Sequence, residues 1–355
     1  MATRKNYQRP LDLRTGRVDM NHGAGGRAAH QLITELFVAA FDNPLLRQGH
    51  DGTTLPDASG LGPGRWVLAT DAHVISPLFF PGGDIGSLSV HGTVNDVAMS
   101  GATPMYLTAS FILEEGYPLA DLQRIAQSMG QAAREAGVAI VAGDTKVVER
   151  GKGDGVFIST TGLGWLPQGI AADGTRARPG DVILVSGSLG EHGVAILSQR
   201  ESLEFETQIV SDSAALNGLV ATLLAALPDK DSLRVLRDPT RGGLATTLNE
   251  IAVQSGVGMH LRETDIPVLP QVDAACELLG LDPLYVANEG KMIVIVAPQA
   301  QEAALAALRA HPLGAGAVRI GEVVADDSHF VRMTTELGGQ RMVDWLSGEQ
   351  LPRIC

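Results

Sequence analysis

Short apolar runs alternate with stretches of helical periodicity along most of the chain, and a glycine- and proline-rich interval from Trp165 to Gly180 divides that alternation into two blocks of similar size. This constrains the fold more than any other feature, because strands that alternate with helices must bury one face of a sheet against those helices. In the first block the spacing predicts helices over 28–41, 85–100 and 119–136, and strands over 66–70, 105–113, 138–142 and 156–163. In the second it predicts strands over 182–186, 259–262, 292–297 and 318–324. Helices there are expected over 194–199, 213–226, 244–254, 272–279 and 300–310. No fixed-period repeat is present. The expected architecture is α/β (α+β) in two domains, 21–166 and 175–340. A polar, loosely held extension over 1–20 precedes them, and a flexible tail over 346–355 follows.

Composition excludes several classes. The chain has 355 residues with 27 basic and 40 acidic side chains, a formal charge of −13, and no basic run. That argues against a protein that binds nucleic acid through a phosphate-facing surface. Two cysteines exclude a disulfide scaffold and fit a reducing compartment. A hydrophobic content of 45% excludes wholesale disorder. The N-terminus lacks an apolar signal-peptide region, and the longest aliphatic run, at 292–297, is far short of the ~20 residues a bilayer needs. A cytoplasmic protein with no membrane partner is expected.

The glycines gather beside Asp, Asn, Thr and Lys near the ends of expected strands and starts of helices, where free backbone N–H groups can hold phosphates. Neither a P-loop nor a Gly-x-Gly-x-x-Gly turn occurs. Five clusters remain. Asn21-His22-Gly23-Ala24-Gly25-Gly26-Arg27 precedes a helix and reads equally as an anion nest or a glycine hinge. Thr70-Asp71 closes a strand. Gly92-Thr93-Val94-Asn95-Asp96 sets a polar pair into an apolar helix, which is costly unless satisfied. Ala142-Gly143-Asp144-Thr145-Lys146 closes another strand. Asp238-Pro239-Thr240-Arg241-Gly242-Gly243 leads into a helix and reads as an anion-and-metal loop or as a plain cap. Asn288-Glu289-Gly290-Lys291 adds an acid and a lysine before a buried strand, with a surface hairpin as the bland alternative. Taken together they suggest nucleotide-dependent phosphoryl transfer with more than one Mg²⁺.

Cys276 lies in an apolar helix and reads as core. Cys355 is the last residue and is expected to pack against nothing. A prenylation box is excluded, since its cysteine must lie three residues before the end. The ten residues after Trp345 span at most roughly 33–36 Å. Cys355 therefore reads as an attachment point on a swinging arm, its thiolate the nucleophile that accepts a group, or as an incidental thiol.

The strings His22-Gly23-Ala24-Gly25-Gly26, Thr70-Asp71, Pro77-Leu78-Phe79-Phe80-Pro81-Gly82-Gly83, Asn95-Asp96-Val97-Ala98, Gly143-Asp144-Thr145-Lys146, Arg241-Gly242-Gly243, Asn288-Glu289-Gly290-Lys291 and Pro352-Arg353-Ile354-Cys355 resemble the HypE family of hydrogenase maturation factors. The glycine-aspartate loops also resemble the wider superfamily of aminoimidazole ribonucleotide synthetase, selenophosphate synthetase and thiamine monophosphate kinase. The resemblance implies an aminoimidazole ribonucleotide synthetase-like fold. Its N-terminal half forms a homodimer interface, and its C-terminal half is a mixed sheet with helices. It implies an ATP-dependent carbamoyl dehydratase: HypF carbamoylates the tail cysteine, ATP drives dehydration to a thiocyanate, and the cyano group passes to iron on the HypC–HypD complex.

By that resemblance Asp71, Asp96, Asp144 and Asp238 lie near Mg²⁺, Lys146 near developing charge, and Glu289 is the proton acceptor acting on Cys355. His22, Gly23, Gly25, Gly26, Thr93, Asn95, Thr145, Thr240, Arg241 and Gly242 contact ATP. A kinase or synthetase acting on a free small molecule is the alternative, and a non-catalytic carrier of Cys355 the weakest reading.

Overall fold

The computed structural model describes residues 10–24, 27–48, 53–201, 208–227, 229–347 and 353–355. Gly25, Gly26 and residues 348–352 of the expected tail lie outside the described residues, as does the start of the expected extension. From Leu11 onward that extension is not loose. The Leu11 N–H donates to Glu35 Oε2 at 2.7 Å, and the Val18 N–H donates to the Tyr117 carbonyl at 2.8 Å, with Val18 buried in the core.

In the first domain, β1 (Gly64–His73), β2 (Thr103–Glu114), β3 (Ala139–Val148) and β4 (Val156–Pro167) form one sheet in the order β1-β4-β2-β3. β2 and β3 run parallel. A parallel pair needs a crossover, and α2 (Leu119–Glu135) supplies it. α2 turns Leu122, Ile125, Ala126 and Met129 inward at helical spacing. α1 (Ile85–Met99) begins at a capping box between Asp84 and Ser87. It lies so close to the sheet that a Cβ on Gly164 would come within 2.5 Å of Val97 Cγ1. Both helices cover the inner face, joined by the helical run 27–41 through Leu32, Leu36 and Phe37. The outer face is uncovered: Leu68 is 69% exposed, Ile112 is exposed, and Trp66 meets Trp165 edge-on at 5.0 Å.

The second domain contains β5 (Val182–Val185), β6 (Leu233–Arg237), β7 (Gly258–Arg262), β8 (Ile293–Val296), β9 (Val318–Val324), β10 (Val331–Thr334) and β11 (Gln340–Met342). They form a mixed sheet in the order β11-β10-β7-β9-β5-β8-β6, parallel only between β7 and β10. β5 and β8 are apolar at every position because helices cover both faces. α5 (Gly243–Ser255) packs on one face, and α4 (Asn217–Ala226) and α7 (Gln301–Arg309) on the other. α3 (Glu191–Arg200) and α6 (Pro270–Leu279) share a smaller core that holds Cys276. Among the described residues no helix is long and apolar enough to cross a membrane.

Among the described residues, β6, β10 and β11 and the two-residue strands Phe79–Phe80 and Gly83–Asp84 lie outside the sequence expectation. β6 carries Arg234, buried beside Asp181, so its pattern is broken by charge. β10 and β11 are short, and β11 is an edge strand with alternating polar residues. Two expected strand ends are also corrected. Asp71 and Asp144 lie within β1 and β3, not after them.

Residues 211–217 tie the domains together. The Asn95 amide on α1 is 1% exposed and fully engaged there. Its Nδ2 donates to the carbonyls of Ala214 (3.0 Å) and Glu289 (3.3 Å), and its Oδ1 accepts the Leu216 N–H at 2.7 Å. Asn95→Ala strands these backbone groups in a buried joint and is expected to cost about 2 kcal/mol. Chemical denaturation measures this directly, and a cost near zero would mean that the joint does not depend on Asn95.

Candidate active site

A cavity of about 500 Å³ opens between the domains, lined among others by Thr70, Asp96, Arg237, Asp238, Thr240 and Arg241. Alternation along β1 turns Asp71 and His73 to the inner face, toward α1. A Cβ on Gly92 would sit 3.0 Å from His73 Nε2 and 3.2 Å from Asp71 Oδ2, so only glycine lets α1 pass over this pair. His73 Nε2 is 3.3 Å from Asp71 Oδ2, and burial lowers its pKa against the pull of Asp71. Asp96 reaches the cavity from α1. Asp238 follows the last residue of β6, and Thr240 and Arg241 occupy the turn before α5, where Gly242 takes a left-handed conformation.

A second loop brings Glu289 to the same place. Asn288 is fully buried, and its Nδ2 and backbone N–H both donate to the Pro239 carbonyl, at 3.0 and 3.1 Å. Its Oδ1 accepts the Gly190 N–H at 2.7 Å. Asp212 accepts the N–H groups of Glu289 and Gly290 and pairs with Lys291, which also pairs with Glu191. Asn288, Asp212 and Lys291 therefore shape the loop. Glu289 itself is buried, and its Oε1 has no hydrogen-bond partner.

Electrostatically the acids act on one another. Asp96 faces the open cavity, yet the surrounding protein and then Asp238 and Asp71 push its carboxyl up to about 7. Burial pushes Asp238 up to about 6. Burial, Asp238, Asp212, Asp71 and Asp96 together hold Glu289 well above the usual carboxylate range. Such a cluster favours a cation or a proton.

Cys355 lies in this site. Ile354 is 5% exposed within the first domain's core, and Cys355 packs against the same core. This corrects the expectation that Cys355 packs against nothing. Burial, Glu289 and Asp71 push its thiol up to about 12, with Arg241 opposing. The docked thiol is therefore protonated and a poor nucleophile.

The site thus unites Asp71, Asp96, Asp238, Glu289, Thr240, Arg241 and Cys355. Other expected residues lie elsewhere. Asn95 is spent on the domain joint. Thr93 is buried against Thr160, with the hydroxyls 2.6 Å apart. His22 closes a capping box with Asp19, and Gly23 lies against Val147 on β3. Thr145 lines a small apolar cavity with Phe37 and Phe111. Asp144 stands opposite Ser110 on the outer sheet face and pairs with Lys146 at 2.9 Å, so within one chain neither joins the cluster. His73, Asp212, His192 and Arg200 were not foreseen. Only His73 left a signal, two residues beyond Asp71 on one strand face.

The AIR synthase related protein N-terminal domain matches residues 57–166, and the corresponding C-terminal domain matches residues 178–334. The chain is 72% identical to carbamoyl dehydratase HypE of Cupriavidus necator over 349 residues, 98% of each chain. It resembles a crystal structure of the hydrogenase maturation protein HypE in complex with ATP. The TM-score is 0.90 at 53% identity, covering 95% of this chain and 99% of that one. A HypE–HypF complex structure matches with a TM-score of 0.77 at 48% identity, covering 89% and 99%.

A carboxyl with a raised pKa takes up a proton on folding. Its cost is absent below the unfolded value near 4, grows as pH rises toward the folded value and is complete above it. In chelator, the melting temperature should therefore fall from about pH 4 to about pH 7, and less steeply in Asp96→Asn. An unchanged slope in the variant would mean that Asp96 is an ordinary surface acid.

Proposed function

The chain belongs to the HypE family of AIR synthase related proteins, and on that premise we propose that it is an ATP-dependent carbamoyl dehydratase of [NiFe]-hydrogenase maturation that acts on its own Cys355. The observation that carries this reading is the seat of Cys355 in the acid-lined cleft of its own chain, beside Glu289. A kinase acting on a free metabolite would leave that seat without a purpose.

The chemistry follows from the residues. A carboxamide oxygen leaves poorly. Its attack on the ATP γ-phosphorus releases ADP and makes that oxygen part of a phosphate ester. The C–O bond then breaks as phosphate departs. The two N–H protons are lost and S–C≡N remains, so the elements of water end in phosphate and the released protons. Arg241 lies near Cys355 and suits charge that develops on the oxygen. Glu289, buried with a free oxygen and a raised pKa, suits acceptance of a proton from nitrogen.

A divalent cation fits the donor chemistry. Among the described residues no three His, Cys, Asp or Glu side chains converge to hold a metal unaided. Asp71, Asp96 and Asp238 offer hard oxygens whose mutual repulsion a Mg²⁺ shared with phosphate oxygens and water would relieve. Bound there, it would neutralise charge on the transferring phosphoryl group.

Because Ile354 and Cys355 are seated against the core, carbamoylation by HypF and transfer to the HypC–HypD complex both call for the tail to leave. Two copies pair over the outer face of the first sheet, where Leu68, Ile112 and Trp66 stand exposed. Asp144 and Lys146, on that face, then serve the site formed with the second copy.

After carbamoylation by HypF, the Cys355 peptide should lose the mass of one water on addition of ATP. Asp96→Asn should cut this step about a hundredfold or more while the carbamoyl adduct still forms. An adduct that persists in the parent chain with ATP would sink the proposal. Leu68→Glu should shift the protein from dimer to monomer in light scattering, and a dimer that survives would exclude this face.

A further inference from the structure

The last three residues are seated with every carbonyl satisfied. Cys355 O accepts the Val74 N–H at 3.0 Å, and Arg353 O accepts the Ser76 N–H at 3.1 Å. The two bonds pair the tail antiparallel with the segment after β1, but Arg353 takes a left-handed conformation (φ 56°), so this is a two-bond contact and not a regular added strand. Two backbone bonds by themselves fix the tail weakly. Two side chains of α3 add to them. His192 Nε2 is 2.6 Å from the Ile354 carbonyl, which takes no part in those two bonds. Arg200 Nη2 donates to the Arg353 carbonyl at 2.7 Å, and its Nε to the Ser76 carbonyl at 2.9 Å, bridging tail and seat.

The His192 tautomer is fixed by its two partners. Its Nδ1 is 2.7 Å from Ser211 Oγ, which already accepts the Ser213 N–H at 3.1 Å. The Ile354 carbonyl can only accept, so Nε2 carries the proton it gives to Ile354, and in the neutral ring Nδ1 accepts from the Ser211 hydroxyl. The ring is fully buried, edge-on to Phe80 at 5.7 Å. A buried imidazole with a set tautomer is a directional donor, and here it points at the tail.

Resting on the function proposed above, we propose that His192 and Arg200 are positioning residues that hold the tail in a single register, so that the group carried on Cys355 Sγ meets the acid cluster and ATP. Neither contacts the reacting atoms. They act through the tail backbone, while the Arg353 side chain separately pairs with Asp154. Ile354, sunk in the core, completes the seat.

The test reads the seat and the chemistry separately. In the unmodified full-length protein, iodoacetamide should alkylate Cys355 about five- to tenfold faster in Arg200→Ala and His192→Ala, the effect of one lost hydrogen bond. His192→Gln, which returns an N–H donor, should move the rate back toward the parent. In carbamoylated protein, both alanine variants should dehydrate more slowly with the KM for ATP unchanged. Parent-like alkylation rates in folded variants would overturn the proposal. Should His192→Ala fail to fold, the half-exposed Arg200 decides through its own variant. A parent chain that shows no ATP-dependent loss of water would overturn the proposed function alone, and the alkylation rates would still decide for or against the seat.

Discussion

Four carboxylates brought to one cleft from two domains are the constraint on which that cleft depends. Asp71 and Asp96 come from the first domain, and Asp238 and Glu289 from the second. Nothing in their mutual interaction favours assembly: after burial, Asp238 and Asp71 raise the pKa of Asp96, and Asp238, Asp71 and Asp96 raise that of Glu289. Other contacts must therefore hold them. Asn95 fastens α1 to residues 214–216 and to the Glu289 carbonyl, and Asn288 fastens the Glu289 loop to Pro239. Two neutral amides, each with several hydrogen bonds, suit this task because they bind backbone without adding charge. The repulsion left over is what makes the cleft receptive to a cation or a proton.

The seating of the tail follows from the same economy of charge. A thiolate would be buried and would stand beside Glu289 and Asp71, so the docked cysteine stays protonated. A neutral group on sulfur carries no such penalty. On the proposed function, the cleft thus favours the tail when it bears a carboxamide over the tail as a thiolate. Reaction with a partner protein and reaction with ATP then belong to different tail positions. The backbone contacts of His192 and Arg200 are indifferent to what the sulfur carries, so they can serve the tail in either state.

Much of this was legible in the residues. The two α/β blocks follow from periodicity, since β5, β8, α2 and α5 carry unbroken apolar patterns. The acids of the cleft were legible as Asp or Glu set beside glycine or an apolar run. β6 was not, because Arg234 interrupts its pattern and is compensated by Asp231 three residues before it and by Asp181 from elsewhere in the chain. Thr93 and Asn95 were misread for a related reason. A polar residue on an apolar helix signals a buried partner, but sequence cannot say whether the partner is a ligand or the protein's own backbone.

The sequence by itself determined the fold class and the family, because periodicity and motif strings are local properties. Only the tertiary structure decided which acids meet. Asp144 and Asp71 both sit beside Thr in strands of one sheet, yet alternation turns one outward and the other toward α1. It also decided that the chain's end lies against His192 and Arg200, more than 150 residues away. Such contacts depend on how two separately packed sheets meet, and the spacing of residues along the chain carries no record of that.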